Sequence, residues 1–429
     1  MKPLNVLIIG GGGREHALAW VVYRSEYLGN LYIAPGNAGT LALAESLDLD
    51  VTDQEQVRAA VEEHDIDLTI IGPEQPLVDG LADHLRNAGH AVFGPGKEAA
   101  LIEGSKAYAK SVMEAAGVPT ASWKDFGKDQ LDQARSYALE QPLPVVVKAD
   151  GLAAGKGVVI CDSESDVNEL FDQIEQEDAF GEAASRIVIE EFMEGEEASV
   201  FAVTDGEHFK LYPPVQDHKR IGEGDTGPNT GGMGAYLPAP VVDGELLEEI
   251  GDTIVKPVLH ELKKRGTPYK GVLYTGLMIT EQGPKVVEFN CRFGDPECQV
   301  LMPATLEDQL ELFYKAATGT IEDGRVSCSD LNFCGVIIAS AGYPGSYEKG
   351  KVITGLDQVD KDILVYHSGT RTEDGRLLTA GGRVLCVIGR GETLEKAIDR
   401  SYAGAKVIDF EGAYFRSDIG RKGLMRQQV

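Results

Sequence analysis

The sequence predicts a multidomain protein of α/β and α+β class, with an N-terminal doubly wound parallel sheet, a central α+β unit of antiparallel sheets and a C-terminal α+β domain. Three observations carry that expectation. Short apolar runs alternate with helical patterns over the first hundred residues, hairpin-joined strands fill the middle, and the last hundred residues hold their own strands and helix. At 429 residues and 43% hydrophobic content the chain can bury several cores, with roughly 100 to 200 residues per domain.

In the first segment, residues 6–9, 31–34, 68–71 and 91–93 read as strands and residues 16–23 and 78–88 as helices. Gly94-Pro95-Gly96 ends this unit, and one long helix is expected over 97–116, stopped by Gly117 and Pro119. Strands at 145–148, 158–161, 187–191, 198–204, 273–280 and 286–290 follow, with hairpin turns at Thr204-Asp205-Gly206 and Glu281-Gln282-Gly283. The last segment offers strands at 333–340, 364–368 and 383–387 and a helix at 394–406. The expected domains are therefore 1–103, 104–324 with a small subdomain at about 120–192, and 325–429.

Charge and composition exclude several classes. A formal charge of −29 repels phosphate backbones and anionic lipid, so neither nucleic acid nor a membrane surface is an expected partner. No apolar run approaches the roughly 18 residues that span a bilayer, and the first strand runs into glycines rather than a cleavage site; a cytoplasmic monomer acting on small molecules is expected. The six cysteines show no Cys-x-x-Cys pair and read mostly as buried thiols. Lys263-Lys264-Arg265 reads as a solvated helix end, where cations favour the macrodipole.

The candidate chemistry lies in five places. Gly10-Gly11-Gly12-Gly13-Arg14-Glu15 follows a strand and opens a helix, a place where backbone amides can meet a phosphate, but the dinucleotide fingerprint fails at its sixth position. Gly151-Leu152-Ala153-Ala154-Gly155-Lys156-Gly157 is one residue short of a P-loop and lacks its Ser or Thr; it reads instead as a flap, with Lys148 and Lys156 able to reach a polyphosphate. Glu190-Glu191-Phe192, with Glu197 beyond, is either a solvated turn or a hinge along a nucleotide. Alternation puts Glu288 and Asn290 on one strand face, as oxygen ligands for magnesium, with Arg292 beyond them. Gln216-Asp217-His218-Lys219-Arg220 is either a solvated charge run or part of a site.

In that order, the flap lysines, the Glu-Glu-Phe hinge and the Glu-x-Asn strand resemble the ATP-grasp fold, which the central unit is then expected to adopt. Gly12-Gly13-Arg14-Glu15-His16-Ala17, Gly72-Pro73-Glu74, Glu103-Gly104-Ser105-Lys106, Asn229-Thr230-Gly231-Gly232-Met233-Gly234 and Arg292-Phe293-Gly294-Asp295-Pro296-Glu297 resemble the phosphoribosylamine-glycine ligase family, as does the Arg416-Ser417-Asp418-Ile419-Gly420 terminus. The resemblance runs essentially the whole chain, with no second enzyme expected after it. Ala184 stands where glycine is usual and Cys298 where threonine is usual.

The resemblance implies ATP, with Mg2+ or Mn2+ on Glu288 and Asn290, held by Lys106, Lys148, Gly155, Lys156, Gly157, Glu190, Glu191, Phe192 and Glu197. Glycine would be phosphorylated to glycyl phosphate, which 5-phosphoribosylamine attacks. Arg292 would hold the glycine carboxylate in a bidentate fork and Asp217 its ammonium group, with His218, Lys219 and Arg220 beside the transferred phosphate. Gly12, Gly13, Arg14, Gly72, Pro73 and Glu74 would hold the phosphoribosyl group, and the glycine-rich loop 225–234 would close as a lid. Another ATP-grasp ligase or carboxylase of purine synthesis would share the nucleotide residues but not the Gln-Asp-His-Lys-Arg and Arg-Phe-Gly-Asp-Pro-Glu segments. A dinucleotide oxidoreductase would leave Lys148, Glu288 and Asn290 without purpose, and a non-catalytic sensor would not need the metal and acceptor residues.

Overall fold

The computed structural model describes residues 2–152, 157–176 and 186–427. Its first unit is a five-stranded sheet, wholly parallel, in which Leu4–Gly10 lies between Leu28–Pro35 and Leu68–Ile71, with Glu45–Ser46 and Val92–Phe93 at the edges. Every residue of Leu68–Ile71 is buried, as a strand covered on both faces requires. The strand order reverses between Leu4–Gly10 and Leu68–Ile71, so the crevice beyond their carboxyl ends is the natural ligand position of such a sheet. The short strand Glu45–Ser46 and the helix Gln54–Glu63 are not among the elements expected from sequence; for the helix the available signal was Asp53, whose side chain caps it, with Val57 and Val61 one turn apart on its buried face.

Two expected helices are each two. The 78–88 helix is interrupted at Gly80, whose φ of 96° ends Glu74–Asp79 and starts Leu81–Asn87. The 97–116 helix breaks at Ser105 into Lys97–Gly104 and Lys106–Ala116. Ser105 is extended there: its hydroxyl accepts from Tyr108 N at 3.1 Å, and Asp150 accepts from Ala107 N at 3.1 Å. Ser105 and Asp150 thus satisfy amides that the first turn of the second helix leaves free, and the Ser105 hydroxyl in turn donates to Asp150 at 3.0 Å.

Strands Trp123–Gly127, Arg186–Glu191, Val145–Ala149 and Val158–Cys161 form, in that order, an antiparallel sheet covered by helices Leu131–Glu140 and Glu164–Glu175. Phe126, Val147, Phe171 and Ile189 give this small unit a core of its own. The neighbouring sheet pairs Glu196–Thr204 with Gly271–Thr280, and the latter with Gly283–Asn290. The C-terminal sheet takes strands from both sides of position 324: Gln216–Asp217 pairs with Gly234–Leu237, which pairs with Asn332–Ser340, and that strand pairs with Arg383–Gly391. A boundary drawn along the sequence cannot show that the middle segment lends two strands to the last one. Among the described residues no helix is long and apolar enough to cross a membrane.

Candidate active site

The two central sheets and flanking residues of the first and last segments enclose a cavity of about 1770 Å³. Gly283–Asn290 lines one side of it, and both Glu288 and Asn290 face in, as alternation predicts. The pairing with Gly271–Thr280 shifts at Gly276 and Leu277, so Val287 has no cross-strand partner. Its carbonyl instead accepts a hydrogen bond from Lys148 Nζ at 3.3 Å.

Lys148 and Lys110 both meet one oxygen of Glu190, at 2.9 and 3.0 Å, with all three side chains buried. Burial pushes the Lys110 ammonium down to about 8 against the pull of Glu190. The other Glu190 oxygen is buried with no partner among the described residues. Lys106, one helical turn before Lys110, donates to Gly151 O at 3.2 Å, and burial lowers its pKa although Glu288 opposes this. Glu191, Phe192 and Glu197 line the same cavity, as does Gly157. Gly155, Lys156 and Ala184 lie outside the described residues.

A second charged group, more exposed than the first, lies beside it. Lys219 Nζ is 3.0 Å from Glu197 Oε2 and 3.9 Å from Glu288 Oε1. Burial works against its charge, but Glu197, Asp217 and Glu288 outweigh it and hold the ammonium firmly protonated. The same cations bring Glu288 below its ordinary pKa despite its burial. Burial pushes Asp217 up to about 6, with Lys219 opposing, and burial plus repulsion from Asp217 pushes Glu297 up to about 8.

Glu288 and Asn290 fit a magnesium ion that keeps most of its ligands from phosphate and water. The orientation of the Asn290 amide that satisfies both its ends donates from nitrogen to Phe289 O and Glu103 Oε1, each at 3.1 Å, which leaves its oxygen as the atom to meet a cation. Among the described residues no group of three or more His, Cys, Asp or Glu side chains is set to hold a metal alone.

Three groups of expected residues have partners within the chain. Arg292 lines the cavity, but its fork is taken: Nε donates to Glu74 at 3.1 Å and Nη2 to Glu103 at 2.7 Å, leaving Nη1 on the Phe293 carbonyl at 3.4 Å. A carboxylate ligand therefore meets Nη1 or exchanges with one of the two glutamates. Gly12, Gly13, Gly72 and Pro73 do not line the cavity, although Arg14 and Glu74 beside them do. The amide of Gly12 donates to Glu15 Oε2 at 2.6 Å, and a Cβ at Gly10 or Gly72 would fall 2.5 or 2.2 Å from the Glu15 side chain. These glycines thus make room for a carboxylate of the chain itself. His218 does not line the cavity; alternation along Gln216–Asp217 sends its ring the other way from Asp217, into the interior, where both nitrogens lack a partner among the described residues and burial pushes its pKa down to about 4.

Sequence reasoning missed Lys110 and gave no role to Glu103 and Glu297, which it met only as parts of motifs; all three are at the cavity. The spacing of Lys110 from Lys106 on one helix face was the available signal for the first. Glu74, held between Arg292 and Arg14, drops to about 2 although burial opposes this.

The sequence matches three family models: phosphoribosylglycinamide synthetase N domain over residues 4–103, its ATP-grasp (A) domain over 104–298 and its C domain over 333–422. It is 46% identical to a phosphoribosylamine-glycine ligase of Rhodopirellula baltica, covering 99% of each chain, and 45% identical to the human trifunctional purine biosynthetic protein adenosine-3, covering 98% of this chain and 42% of that one. Its structure is similar to that of phosphoribosylamine-glycine ligase from Thermotoga maritima, with a TM-score of 0.86 and 34% identity over 97% of this chain and 100% of that one. On these matches, which run the length of all three units around the cavity, the chain belongs to the phosphoribosylglycinamide synthetase family, with its ATP-grasp domain at the centre.

Proposed function

We propose that the chain ligates glycine to 5-phosphoribosylamine in de novo purine biosynthesis, giving glycinamide ribonucleotide, ADP and phosphate through glycyl phosphate. The observation that carries this reading is one cavity in which Lys106, Lys148 and Lys219 surround Glu288, with Asn290 on the same strand face and Asp217 beside Lys219. Phosphoryl transfer requires placed cations and charge neutralisation rather than a protein nucleophile, and this arrangement offers both.

In this reading Lys106 and Lys148 receive the ATP phosphates, the 190–197 hinge receives the adenosine, and Glu288 with Asn290 holds Mg2+ or Mn2+, which neutralises phosphate charge. Lys219, protonated under the pull of Glu197, stabilises the transferred group. Asp217 pairs with the glycine ammonium, and Arg292 meets the glycine carboxylate through Nη1 or by exchange with Glu74. Arg14 and Glu74 face the phosphoribosyl group. The protein acts as a cytoplasmic monomer. Carboxylases of the same fold, such as the 2-oxoglutarate carboxylase biotin carboxylase domain of Hydrogenobacter thermophilus, are only 18% identical, so they speak for the fold alone.

The test is ADP release with ATP and Mg2+, omitting in turn glycine and phosphoribosylamine formed in situ from ribose 5-phosphate and ammonia. Turnover that needs both and disappears in Glu288→Ala is expected; turnover indifferent to glycine would refute the reading.

A further inference from the structure

Arg416, in a C-terminal segment that the proposed chemistry does not use, is fully buried, an expensive place for a guanidinium unless its partners are exact. It makes a two-point contact with Asp418, Nε to Oδ1 and Nη2 to Oδ2, both at 2.8 Å. Its remaining nitrogen, Nη1, reaches across to the cavity-lining loop, donating to the Arg220 carbonyl at 2.8 Å and to Asp225 Oδ1 at 3.0 Å. One side chain thus ties the start of the Arg220–Gly222 strand to the turn that leads into its partner Thr226–Asn229.

The attachment is continuous. Tyr414 donates its hydroxyl to Ile221 O at 2.9 Å, Ser417 donates Oγ to Glu223 at 2.6 Å, Gly224 N donates to Asp418 at 2.8 Å, and Lys422 pairs with Asp225. Asp225 sits at a φ of 56°, a left-handed conformation uncommon outside glycine, and is held there by two cations. The far end of the loop is fastened by the same C-terminal unit: Gly231 N donates to the Tyr343 hydroxyl at 3.1 Å, and Arg383 donates to Gly231 O at 2.6 Å. Lys219, Arg220, Asp225 and Thr230 all line the cavity, so whatever fixes this loop fixes one wall of it.

We propose that Arg416 is a positioning residue that, through Asp225 and the Arg220 carbonyl, latches the 219–231 loop over the cavity and keeps water from the acyl phosphate. The proposal rests on the ligase reading. With the loop loosened, water would attack glycyl phosphate and break its anhydride bond, returning glycine and inorganic phosphate and releasing a proton to solvent. ATP would then be consumed without an amide being formed.

The experiment compares ADP released with glycinamide ribonucleotide formed, in the full-length protein and in Asp225→Asn, Tyr414→Phe and Arg416→Lys. Asp225→Asn leaves the buried Arg416–Asp418 pair intact, and Tyr414→Phe removes one hydroxyl from a half-exposed ring, so both keep the test open if Arg416→Lys fails to fold. The ratio should be one to one in the unaltered protein and rise about threefold to tenfold in Asp225→Asn, as expected for loss of a charged hydrogen bond that holds a closed state. It should rise less in Tyr414→Phe, and the KM for ATP should be unchanged. A ratio that stays at one in Asp225→Asn and Tyr414→Phe, whatever happens to the rate, would overturn the latch and leave these contacts a purely structural role. Absence of amide from the unaltered protein would instead defeat the ligase reading, and with it the latch.

Discussion

Arg292 Nη2 donates to Glu103 Oε1 at 2.7 Å across 189 positions of sequence, joining the end of the Gly283–Asn290 strand to the helix that closes the N-terminal unit. The same guanidinium also holds Glu74, at the carboxyl end of the parallel sheet. A residue expected to bind substrate is thereby also the tie that orients two units around the cavity. Glu103→Gln should lower the unfolding free energy by about 2 kcal/mol, as for loss of a hydrogen bond to a charged group, and raise the KM for glycine. Urea unfolding and glycine saturation curves check this; unchanged values in both would show that Glu103 is not a support for Arg292.

Lys110 is the buried partner that Glu190 shares with Lys148. Lys110→Met should raise the KM for ATP roughly tenfold while leaving the KM for glycine alone, because it frees Glu190 to draw Lys148 away from the phosphates. An ATP KM that did not move would separate this pair from nucleotide binding.

Asn290→Ala removes the neutral half of the proposed metal pair and keeps the charge of Glu288. The Mg2+ concentration needed for half-maximal ADP release should rise about tenfold, and Mn2+ binding measured by water-proton relaxation in the presence of ATP should weaken alongside. Equal metal dependence in the variant and the unaltered protein would remove Asn290 from the metal site.

Asp217 and Glu297 bind protons more tightly folded than unfolded: burial, with Glu197 and Glu288 nearby, raises Asp217 to about 6, and burial with the repulsion of Asp217 raises Glu297 to about 8. The stability they contribute is complete below their ordinary values of 3.8 and 4.5 and is lost as pH rises through 6 and 8. Glu297→Gln should flatten the decline between pH 4.5 and 8, a change on the order of a few kcal/mol. Activity runs the other way for Asp217, which must be ionised to hold an ammonium group: kcat/KM for glycine should fall about tenfold per pH unit below 6. Calorimetry and a pH profile for glycine check the two limbs.

With a formal charge of −29, self-repulsion opposes the compact state and salt screens it. Raising KCl from about 0.05 to 1 M, which shortens the screening length to about 3 Å, should raise the melting temperature by about 5 °C. A melting temperature that fell with KCl would mean that attractive ion pairs outweigh the net repulsion.

Many local elements and the faces they present were legible in the sequence, although the Gln54–Glu63 helix and the breaks at Gly80 and Ser105 were not. The 68–71 strand, the Glu288 and Asn290 face and the hairpin turns all follow from period-two alternation and turn residues within a few positions of one another. What it could not determine were pairings between distant segments. It could not show that Gln216–Asp217 and Gly234–Leu237 join the C-terminal sheet, that Asp150 accepts from a free amide of the helix after Ser105, that Glu15 fills the space beside Gly10 and Gly72, or that Glu74 and Glu103 take the fork of Arg292. Local pattern reflects burial against a neighbouring surface without naming that surface, and a side chain in a buried polar cluster takes its role from the charges packed around it. Those charges come from elements that only the tertiary fold brings together.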